Sequence, residues 1–343
     1  MEEFNFDAFE SYAKIVVIGV GGAGNNAVNR MIDEKIQNID FWVCNTDAQA
    51  LGSSKAEHKL VLGPNFTRGL GAGGNPETGR KAALDSEDDI REIVDGADMV
   101  FIAAGMGGGT GTGAAPVIAR IAKEANALTL AIVTRPFTME GDNRKVKAVE
   151  GIQELKKYVD SIIIVSNDKL MMMKGASLFG DGFEAADKVL AQSVKTITDL
   201  ITIPGKINLD YNDVKNLLTG KGLALIGYGS GSGEKKAIDA ATEAISSPLI
   251  EASISGAKSA IINITCGQDV NMFDIQDAVQ YITEATGKKL NISLGVQQNN
   301  AIKDQMLVSI IATDFDEDYI EDEVQFIPNT KSFKIFEEEE KEE

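Results

Sequence analysis

One glycine-rich stretch, residues 105–113, constrains the fold of this chain more than any other feature. An apolar run of strand length, residues 98–104, precedes it. Residues 114–123 follow it with a helical pattern that contains an early proline. The stretch therefore joins a strand to a helix through a loop in which glycines surround Thr110 and Thr112.

Such a loop is suited to binding an anion. Glycine permits backbone conformations with positive φ and lets a ligand approach main-chain N–H groups closely. The helix start that follows adds unpaired N–H groups and a partial positive charge, which favour a phosphate. The alternative is a flexible turn, which would not need two threonine hydroxyls within the glycine run. Residues 105–113 therefore predict a phosphate-binding site.

Two further glycine loops occur in the first half of the chain. Residues 19–26 follow an apolar run, and residues 69–75 precede a helix that begins near Pro76. Apolar runs alternate here with helical patterns, which predicts a parallel sheet covered on both faces. These runs are residues 14–18, 41–44, 128–133 and 161–166. We interpret each loop as leaving the carboxyl end of a strand, so the loops should converge on one site.

The second half has a different pattern. Residues 182–201 carry apolar side chains at helical spacing, and residues 203–206 end that helix. Four later apolar runs predict strands, of which the last two are separated only by a polar turn, so we expect some antiparallel pairing. These runs are residues 223–228, 260–265, 290–294 and 306–311. The sequence predicts an α/β fold: a Rossmann-like N-terminal domain with a mostly parallel sheet, a long central helix, and a smaller C-terminal α+β domain with a mixed sheet.

Composition excludes several classes of function. The net charge of −19 argues against nucleic acid as a partner and against direct attraction to anionic lipid. The acidic N-terminal segment is unlike a signal peptide, and no apolar run is long enough to insert into a membrane. We therefore expect a cytoplasmic protein. Cys44 and Cys266 each lie in an apolar run and are expected to be buried free thiols.

A dinucleotide-binding alternative exists. Gly19, Gly21 and Gly24 match the pattern G-x-G-x-x-G, and Asp47 follows at the spacing of a ribose-binding acid, which indicates a nicotinamide-dependent oxidoreductase. The additional glycine loops argue against this alternative. A dinucleotide-binding fold needs one phosphate loop for each nucleotide half, whereas the loops here would all surround the phosphates of a single ligand. The chain contains no Walker A lysine motif and no Asn-Lys-x-Asp motif. A nucleoside triphosphate would thus be held mainly by backbone amides.

Several motifs in one order resemble those of the tubulin/FtsZ family of GTPases. Residues 105–113 are similar to the tubulin signature in its bacterial form, and the resemblance extends over roughly residues 13–314. The other motifs are residues 19–26, 45–47, 71–75, 134–137 with Glu140 and Arg144, 167–170, and 208–213.

The resemblance implies a self-assembling GTPase that binds GTP or GDP with Mg²⁺. Its subunits would join head to tail into protofilaments of a division ring at mid-cell, and GTP would be hydrolysed at the subunit interface. No residue is assigned directly to the metal. The implied organisation is a flexible tail (1–12), a GTP-binding domain (13–181), a central helix (182–203), a C-terminal polymerisation domain (204–315) and an acidic tail (316–343).

The resemblance also implies nucleotide-binding positions. By place in the family motifs these are Gly21, Gly22, Ala23, Gly24, Asn25, Asn26, Asn45, Gly73, Gly74, Gly107, Gly108, Gly109, Thr110, Gly111, Thr134, Pro136, Glu140, Arg144, Asn167, Phe183 and Asp187. Asn167 and Asp187 would contact the edge of guanine while Phe183 stacks on the base. From the residues alone, Phe183 would be helix core and Asp187 would lie on a solvated helix face.

Asn208, Asp210 and Asp213 would be catalytic, because hydrolysis needs a water positioned for in-line attack and a carboxylate can orient it. In the family they reach the GTP of the neighbouring subunit. From the residues alone, Asp210 and Asp213 also match a capping pattern at a helix start, with Asp210 as N-cap.

Partner predictions follow from the same resemblance. The chain itself is the first partner, and division-ring adaptor proteins are the second. Residues 325–329 resemble a degenerate form of the family's partner-binding peptide, and the long linker that usually precedes it is missing. A third functional alternative is a tubulin-like polymer that serves another purpose, such as plasmid or shape control.

Overall fold

The computed structural model describes residues 13–171, 179–203, 205–247, 254, 256–286 and 290–315. The predicted N-terminal tail, the acidic tail and the degenerate peptide at residues 325–329 lie outside the described residues.

Strands of the described residues form one ten-stranded sheet in the order β3-β2-β1-β4-β5-β6-β7-β10-β8-β9. Their bounds are β1 Ile15–Val20, β2 Asp40–Asn45, β3 His58–Val61, β4 Met99–Gly105, β5 Leu128–Arg135, β6 Ser161–Ser166, β7 Gly222–Ser232, β8 Ser259–Cys266, β9 Asn291–Gln298 and β10 Gln305–Thr313.

Helices cover the faces of this sheet. Their bounds are α1 Gly21–Asp33, α2 Ala48–Gly52, α3 Pro64–Thr67, α4 Pro76–Asp85, α5 Glu87–Val94, α6 Thr110–Glu124, α7 Asp142–Leu155, α8 Asn167–Leu170, α9 Phe179–Thr202, α10 Tyr211–Leu218, α11 Lys236–Ile245 and α12 Met272–Thr286.

The pairing of the strands confirms the predicted fold class. β1 to β6 are parallel to their neighbours, and β7 continues this direction beside β6. β10 then runs antiparallel to both β7 and β8, while β9 is parallel to β8. The expectation of antiparallel pairing is thus confirmed, but β9 and β10 are not partners, because β8 lies between them in the sheet. The boundaries of the predicted domains stay a prediction.

The core lies on both sides of the parallel strands, which explains why those strands are continuously apolar. Val17 and Phe101 pack on one face with the long helix α9, and Val16 and Ile102 pack on the other face with α6. Along α9, most of the predicted helical stripe is buried, including Leu190, Val194 and Ile197, whereas Phe183 at its start is exposed. Both cysteines are buried free thiols, as predicted.

Helix starts differ from the predicted ones in an informative way. α1 begins at Gly21 and α6 at Thr110, so each helix begins inside its glycine motif. The unpaired N–H groups of each first turn therefore belong to the motif itself. Residues 69–75 follow the short helix α3 and not a strand, so the expectation that every glycine loop leaves a strand is wrong for this loop. α9 begins at Phe179 instead of residue 182 and ends at Thr202.

Candidate nucleotide-binding site

Three glycine loops meet beyond the carboxyl ends of β1 and β4. A Cβ atom added at Gly21 would lie 3.0 Å from the Gly111 nitrogen, and one added at Gly105 would lie 2.7 Å from the Cβ of Ala23. The third loop, residues 69–75, closes on the other side of the motif. There a Cβ at Gly109 would lie 2.7 Å from the Cβ of Ala72. Glycine is required at Gly109 by this close approach, and the predicted convergence of the loops is confirmed.

An open concavity lies between these loops. Cβ atoms added at four glycines would meet no heavy atom within 4 Å, and these are Gly22, Gly73, Gly74 and Gly108. Asn26 is exposed one turn after Gly22 on α1. Helix α6 begins at Thr110, two residues after Gly108 in the chain. The unpaired N–H groups of its first turn therefore add a partial positive charge to the same space. The arrangement fits a phosphate chain.

Threonine hydroxyls connect the loops. Thr110 Oγ1 lies 2.7 Å from Thr46 Oγ1, which joins the start of α6 to the end of β2. The Gly107 N–H donates to Thr112 Oγ1 at 2.8 Å, and Thr112 is buried. Thr112 therefore holds the loop from inside, whereas Thr110 is partly exposed at the concavity.

Asn25 and Asn45 stabilise the first loop. Both side chains are buried. With its amide oriented to suit its neighbours, Asn25 donates to the carbonyls of Gly19 at 3.0 Å and Gly21 at 2.8 Å, and it accepts from Asn45 Nδ2 at 3.3 Å. Gly24 cannot carry a side chain, because a Cβ there would lie 2.2 Å from the Ala103 carbonyl oxygen. These predicted positions therefore shape the loop.

The segment after β5 forms the next wall. Glu140 forms an ion pair with Arg144, and its other oxygen accepts from the Phe137 N–H at 2.8 Å. A Cβ at Gly107 would lie 2.7 Å from the Arg144 carbonyl and 3.2 Å from Pro136. Thr134 is buried, and its carbonyl accepts from the Met106 N–H at 2.9 Å. The start of α7 thus packs directly against the glycine motif.

A second pocket-lining group lies beyond β6. Asn167 is only 6% exposed, and its Oδ1 has no hydrogen-bond partner among the described residues. Asp168, which follows it, accepts from the N–H and hydroxyl of Thr138 at 2.9 and 2.6 Å. Phe137, which precedes Thr138, meets the ring of Phe183 edge-on with 5.0 Å between centroids. Asn167 and Phe183 therefore lie beside the same short segment.

Neither residue-based interpretation of the α9 side chains is correct. Phe183 is 41% exposed and so is not helix core. Asp187, one turn further along, is half-buried, and burial raises the pKa of its carboxyl from 3.8 to about 7. The positive charge of Arg30 opposes this rise in pKa, and Glu184 adds to it. A partly desolvated carboxyl and an unpaired amide oxygen are both acceptors suited to recognising hydrogen-bond donors.

The predicted catalytic residues lie elsewhere. Asp210 Oδ1 accepts from the Asp213 N–H at 2.8 Å, and Asp213 Oδ2 accepts from the Asp210 N–H at 3.2 Å, so the capping interpretation is confirmed. Asn208 Oδ1 accepts from the Gly205 N–H. The Tyr211 hydroxyl donates at 2.7 Å to the carbonyl of Asp98, the residue before β4. The glycine motif begins at the other end of this strand, roughly 20 Å away.

Several contacts at the site were not anticipated. Thr46 and Phe137 belong to recognised motifs, so the motifs themselves were a signal for them. Lys147 had no signal, because it is an ordinary basic residue in a helical pattern. Its ammonium donates to the Gly74 carbonyl at 2.7 Å. Asp47, the candidate ribose acid of the dinucleotide alternative, instead caps α2 by accepting from the Gln49 and Ala50 N–H groups.

Membrane-spanning helices and metal-binding clusters of side chains are both absent from the described residues. Their helices are too short or too polar to cross a bilayer. Within the same residues, no three His, Cys, Asp or Glu side chains are grouped to hold a metal ion.

Comparisons with known proteins agree with this geometry. The model of the Tubulin/FtsZ family GTPase domain matches residues 14–175, and the model of the FtsZ family C-terminal domain matches residues 222–316. An empty FtsZ dimer from M. jannaschii is 39% identical, with 90% of both chains covered and a TM-score of 0.83. A tryptophan-to-tyrosine variant of FtsZ from M. jannaschii is also 39% identical, covers 90% of this chain and 93% of that chain, and has a TM-score of 0.85.

A more distant structure has the same fold. CetZ2 from Haloferax volcanii, solved as a GTPγS-bound protofilament, is 22% identical, with 91% of this chain and 96% of that chain covered and a TM-score of 0.76.

Proposed function

The chain belongs to the tubulin/FtsZ family of GTPases, and from this membership we propose that it assembles head to tail and hydrolyses GTP between successive subunits. Each active site would combine the glycine loops of one subunit with Asn208, Asp210 and Asp213 of the next. The observation that carries the proposal is the placement of these two groups at opposite ends of strand β4. A single subunit cannot bring them together, whereas stacked copies can.

Nucleotide binding would use the groups that line the concavity. The backbone around Gly22, Gly74 and Gly108 faces open space, so N–H groups there can donate to phosphate oxygens without a side chain in the way. The unpaired Oδ1 of Asn167 and the carboxylate of Asp187 would accept from the donors on the edge of guanine, and Phe183 would stack on the base. Mg²⁺ would be held chiefly by phosphate oxygens and water, which is its usual mode and does not require a cluster of protein carboxylates.

Hydrolysis would then need one oriented water. The capping box uses one oxygen of each carboxylate, which leaves the other oxygen of Asp210 and Asp213 to accept a proton from water. The water would attack the terminal phosphorus in line as the bond to the leaving GDP oxygen breaks. A rigid helix start holds both carboxylates in place, so the group is ready when a second subunit presents its GTP.

Exposed apolar side chains at both ends support self-assembly. Leu70 is exposed within the third glycine loop and Phe66 just before it, and Ile203 and Ile207 are exposed next to the acidic group. Different patches at the two ends suit a head-to-tail interface, which generates an open filament when it does not close. The related proteins solved as a dimer and as a protofilament point the same way.

We favour a cell-division role over another cytoskeletal role. The C-terminal domain matches the FtsZ model, and the M. jannaschii FtsZ chains are much more similar in sequence than CetZ2. In this role the filament would form a ring at mid-cell in the cytoplasm, where adaptor proteins would attach it to the membrane. A tagged copy that is spread along the cell while division continues would exclude this role.

A mixture of two inactive variants tests the shared active site. Asp213→Asn keeps an acceptor for the capping box but loses the carboxylate, so it should bind GTP and hydrolyse it poorly. Gly108→Trp adds a ring at a position where the Cβ meets no heavy atom within 4 Å, so the variant should fold, and the ring should occupy the concavity and prevent GTP binding. Together they should recover part of the wild-type phosphate release, because Asp213→Asn supplies the loaded pocket and Gly108→Trp supplies the acidic group.

The matched control is Asp213→Asn mixed with a Gly108→Trp/Asp213→Asn double variant, which should recover nothing. Pelleting with GTP and with GDP establishes that the variants co-assemble. Co-assembly without any gain in phosphate release over the separate proteins would refute the shared site.

A further inference from the structure

Lys147 reaches across the glycine motif. It lies on α7 one turn after Arg144, whose carbonyl packs against Gly107 on one side of the motif. Its ammonium lies 2.7 Å from the carbonyl of Gly74, in the loop that packs against Gly109 on the other side. The Lys147 side chain therefore links the two walls that flank Gly108.

The Lys147 ammonium contacts the loop on the Gly109 side of the motif, whereas the proposed base position lies on the Gly107 side. The Gly107 end of the motif contacts Pro136, close to Phe137 and Phe183, where the base would lie. The Gly109 end contacts Ala72 instead. A nucleotide with its base near Phe183 would therefore extend its phosphates towards Gly108 and Gly74, and the last phosphate would come nearest to Lys147.

Among the described residues, no acidic side chain forms an ion pair with Lys147. Arg144, the neighbouring cation, forms an ion pair with Glu140. Lys147 instead donates to a neutral carbonyl, and none of the ion pairs found among the described residues includes it. A triphosphate carries more negative charge than neutral amides can balance, and an ammonium is a strong donor to a phosphate oxygen.

We propose that Lys147 binds the terminal phosphate of GTP and so makes the pocket prefer GTP to GDP. Because the same ammonium contacts Gly74, it also links the presence of that phosphate to the position of residues 69–75. This inference depends on the proposed function, since it takes GTP as the ligand. GDP lacks the phosphate that Lys147 reaches, so the loss of this lysine should affect the two nucleotides unequally.

The test compares the affinities for GTP and GDP in Lys147→Gln, Lys147→Arg and a control, Lys145→Gln. The control removes the same charge from the same helix two residues away. Affinities are measured with Mg²⁺ on protein too dilute to assemble, by displacement of a fluorescent GDP analogue. Lys147→Gln should bind GTP roughly 10-fold more weakly, as expected for loss of one charge-assisted hydrogen bond, and GDP within about twofold of wild type. Lys147→Arg should retain most of the preference, and Lys145→Gln should retain all of it.

Several results would overturn the inference. An equal loss of GTP and GDP affinity in Lys147→Gln would mean that the lysine only ties α7 to the loop. Unchanged affinities for both GTP and GDP would mean that it does not reach the phosphate. Thermal unfolding of the nucleotide-free variants separates either result from misfolding. A wild-type protein that binds neither nucleotide would refute the proposed function as well, whereas wild-type binding with an unchanged ratio in Lys147→Gln refutes this inference alone.

Discussion

Two residues at the proposed guanine pocket have buried or half-buried acceptor atoms whose burial is unfavourable without a ligand. Asn167 has a buried Oδ1 without a partner among the described residues, and a buried polar atom left unpaired costs about 1–3 kcal/mol. Asp187 is partly desolvated, which raises its pKa to about 7. Guanine presents N–H donors that would satisfy both acceptors, so the same burial that strains the free protein favours base binding.

The raised pKa of Asp187 predicts a pH dependence of GTP affinity. Only the carboxylate accepts two guanine donors, and below pH 7 the free protein holds this group mostly protonated. Binding must then release a proton, so affinity should fall as pH is lowered from 8 to 6, by at most about tenfold per unit. Isothermal titration at several pH values measures the slope.

Asp187→Asn should bind GTP more weakly and lose most of this slope. Asp199→Asn is the matched control, because Asp199 is another α9 carboxyl whose pKa is raised by burial, roughly 18 Å along the helix. The assignment to guanine fails if Asp187→Asn retains the wild-type slope.

Among the elements, the glycine motif acts as the packing junction of the site. Gly107 allows α7 to pack closely, Gly109 allows the third loop to pack closely, and Gly111 packs against the end of β4. These contacts leave no room for a methyl group, whereas Gly108 between them faces open space. The motif therefore combines closely packed positions with one that stays open to ligand.

Substitution by alanine at two adjacent positions separates these roles. Gly109 has φ −85°, which alanine adopts readily, so Gly109→Ala tests the steric contact with Ala72 and Asn75 alone. We expect a loss of about 1–3 kcal/mol in the free energy of unfolding and weaker GTP binding as residues 69–75 are displaced.

Gly108→Ala is the control and should change the free energy of unfolding by less than about 0.5 kcal/mol. Urea unfolding and nucleotide titration on both variants provide the measurements. Equal stability of the two variants would show that the third loop does not pack on Gly109 as the structure has it.

At the scale of the whole molecule, the sheet separates two groups that the proposed reaction requires together. β4 carries the glycine motif at its carboxyl end, and the carbonyl just before its amino end anchors Tyr211 next to Asp210. The strand sets the distance between them, so no local rearrangement of loops closes it. An assembled filament is the simplest way to join them.

Concentration should therefore control turnover. GTP hydrolysis per subunit should fall steeply on dilution, while GTP binding per subunit stays constant, because the pocket is complete in one chain and the proposed active site is not. Phosphate release and nucleotide binding measured over the same dilution series give the comparison. Turnover per subunit that is independent of concentration would contradict the proposal.

The sequence by itself determined the local units and the family. Apolar runs followed by glycine predict strand-loop-helix units because strand burial and glycine conformation are local properties, and residues 105–113 show this directly. The capping box of Asp210 and Asp213 is local as well, and it is confirmed. The family resemblance and the α/β fold with a mixed sheet are also confirmed. Both could be predicted because each short motif reflects the backbone conformation or burial that its own segment needs.

Only the tertiary structure decided which of these units meet. Nothing in the pattern of β8, β9 and β10 places β8 between the other two, because strand order depends on how the whole sheet packs. The Phe183 ring meets Phe137, which is far away in sequence, and the hydrogen bond from Lys147 to Gly74 joins segments that no motif connects. Periodicity predicts that a side chain is buried but does not identify the neighbour against which it packs. The identity of that neighbour decides where the acidic group, the proposed guanine pocket and the phosphate-binding loops lie relative to one another.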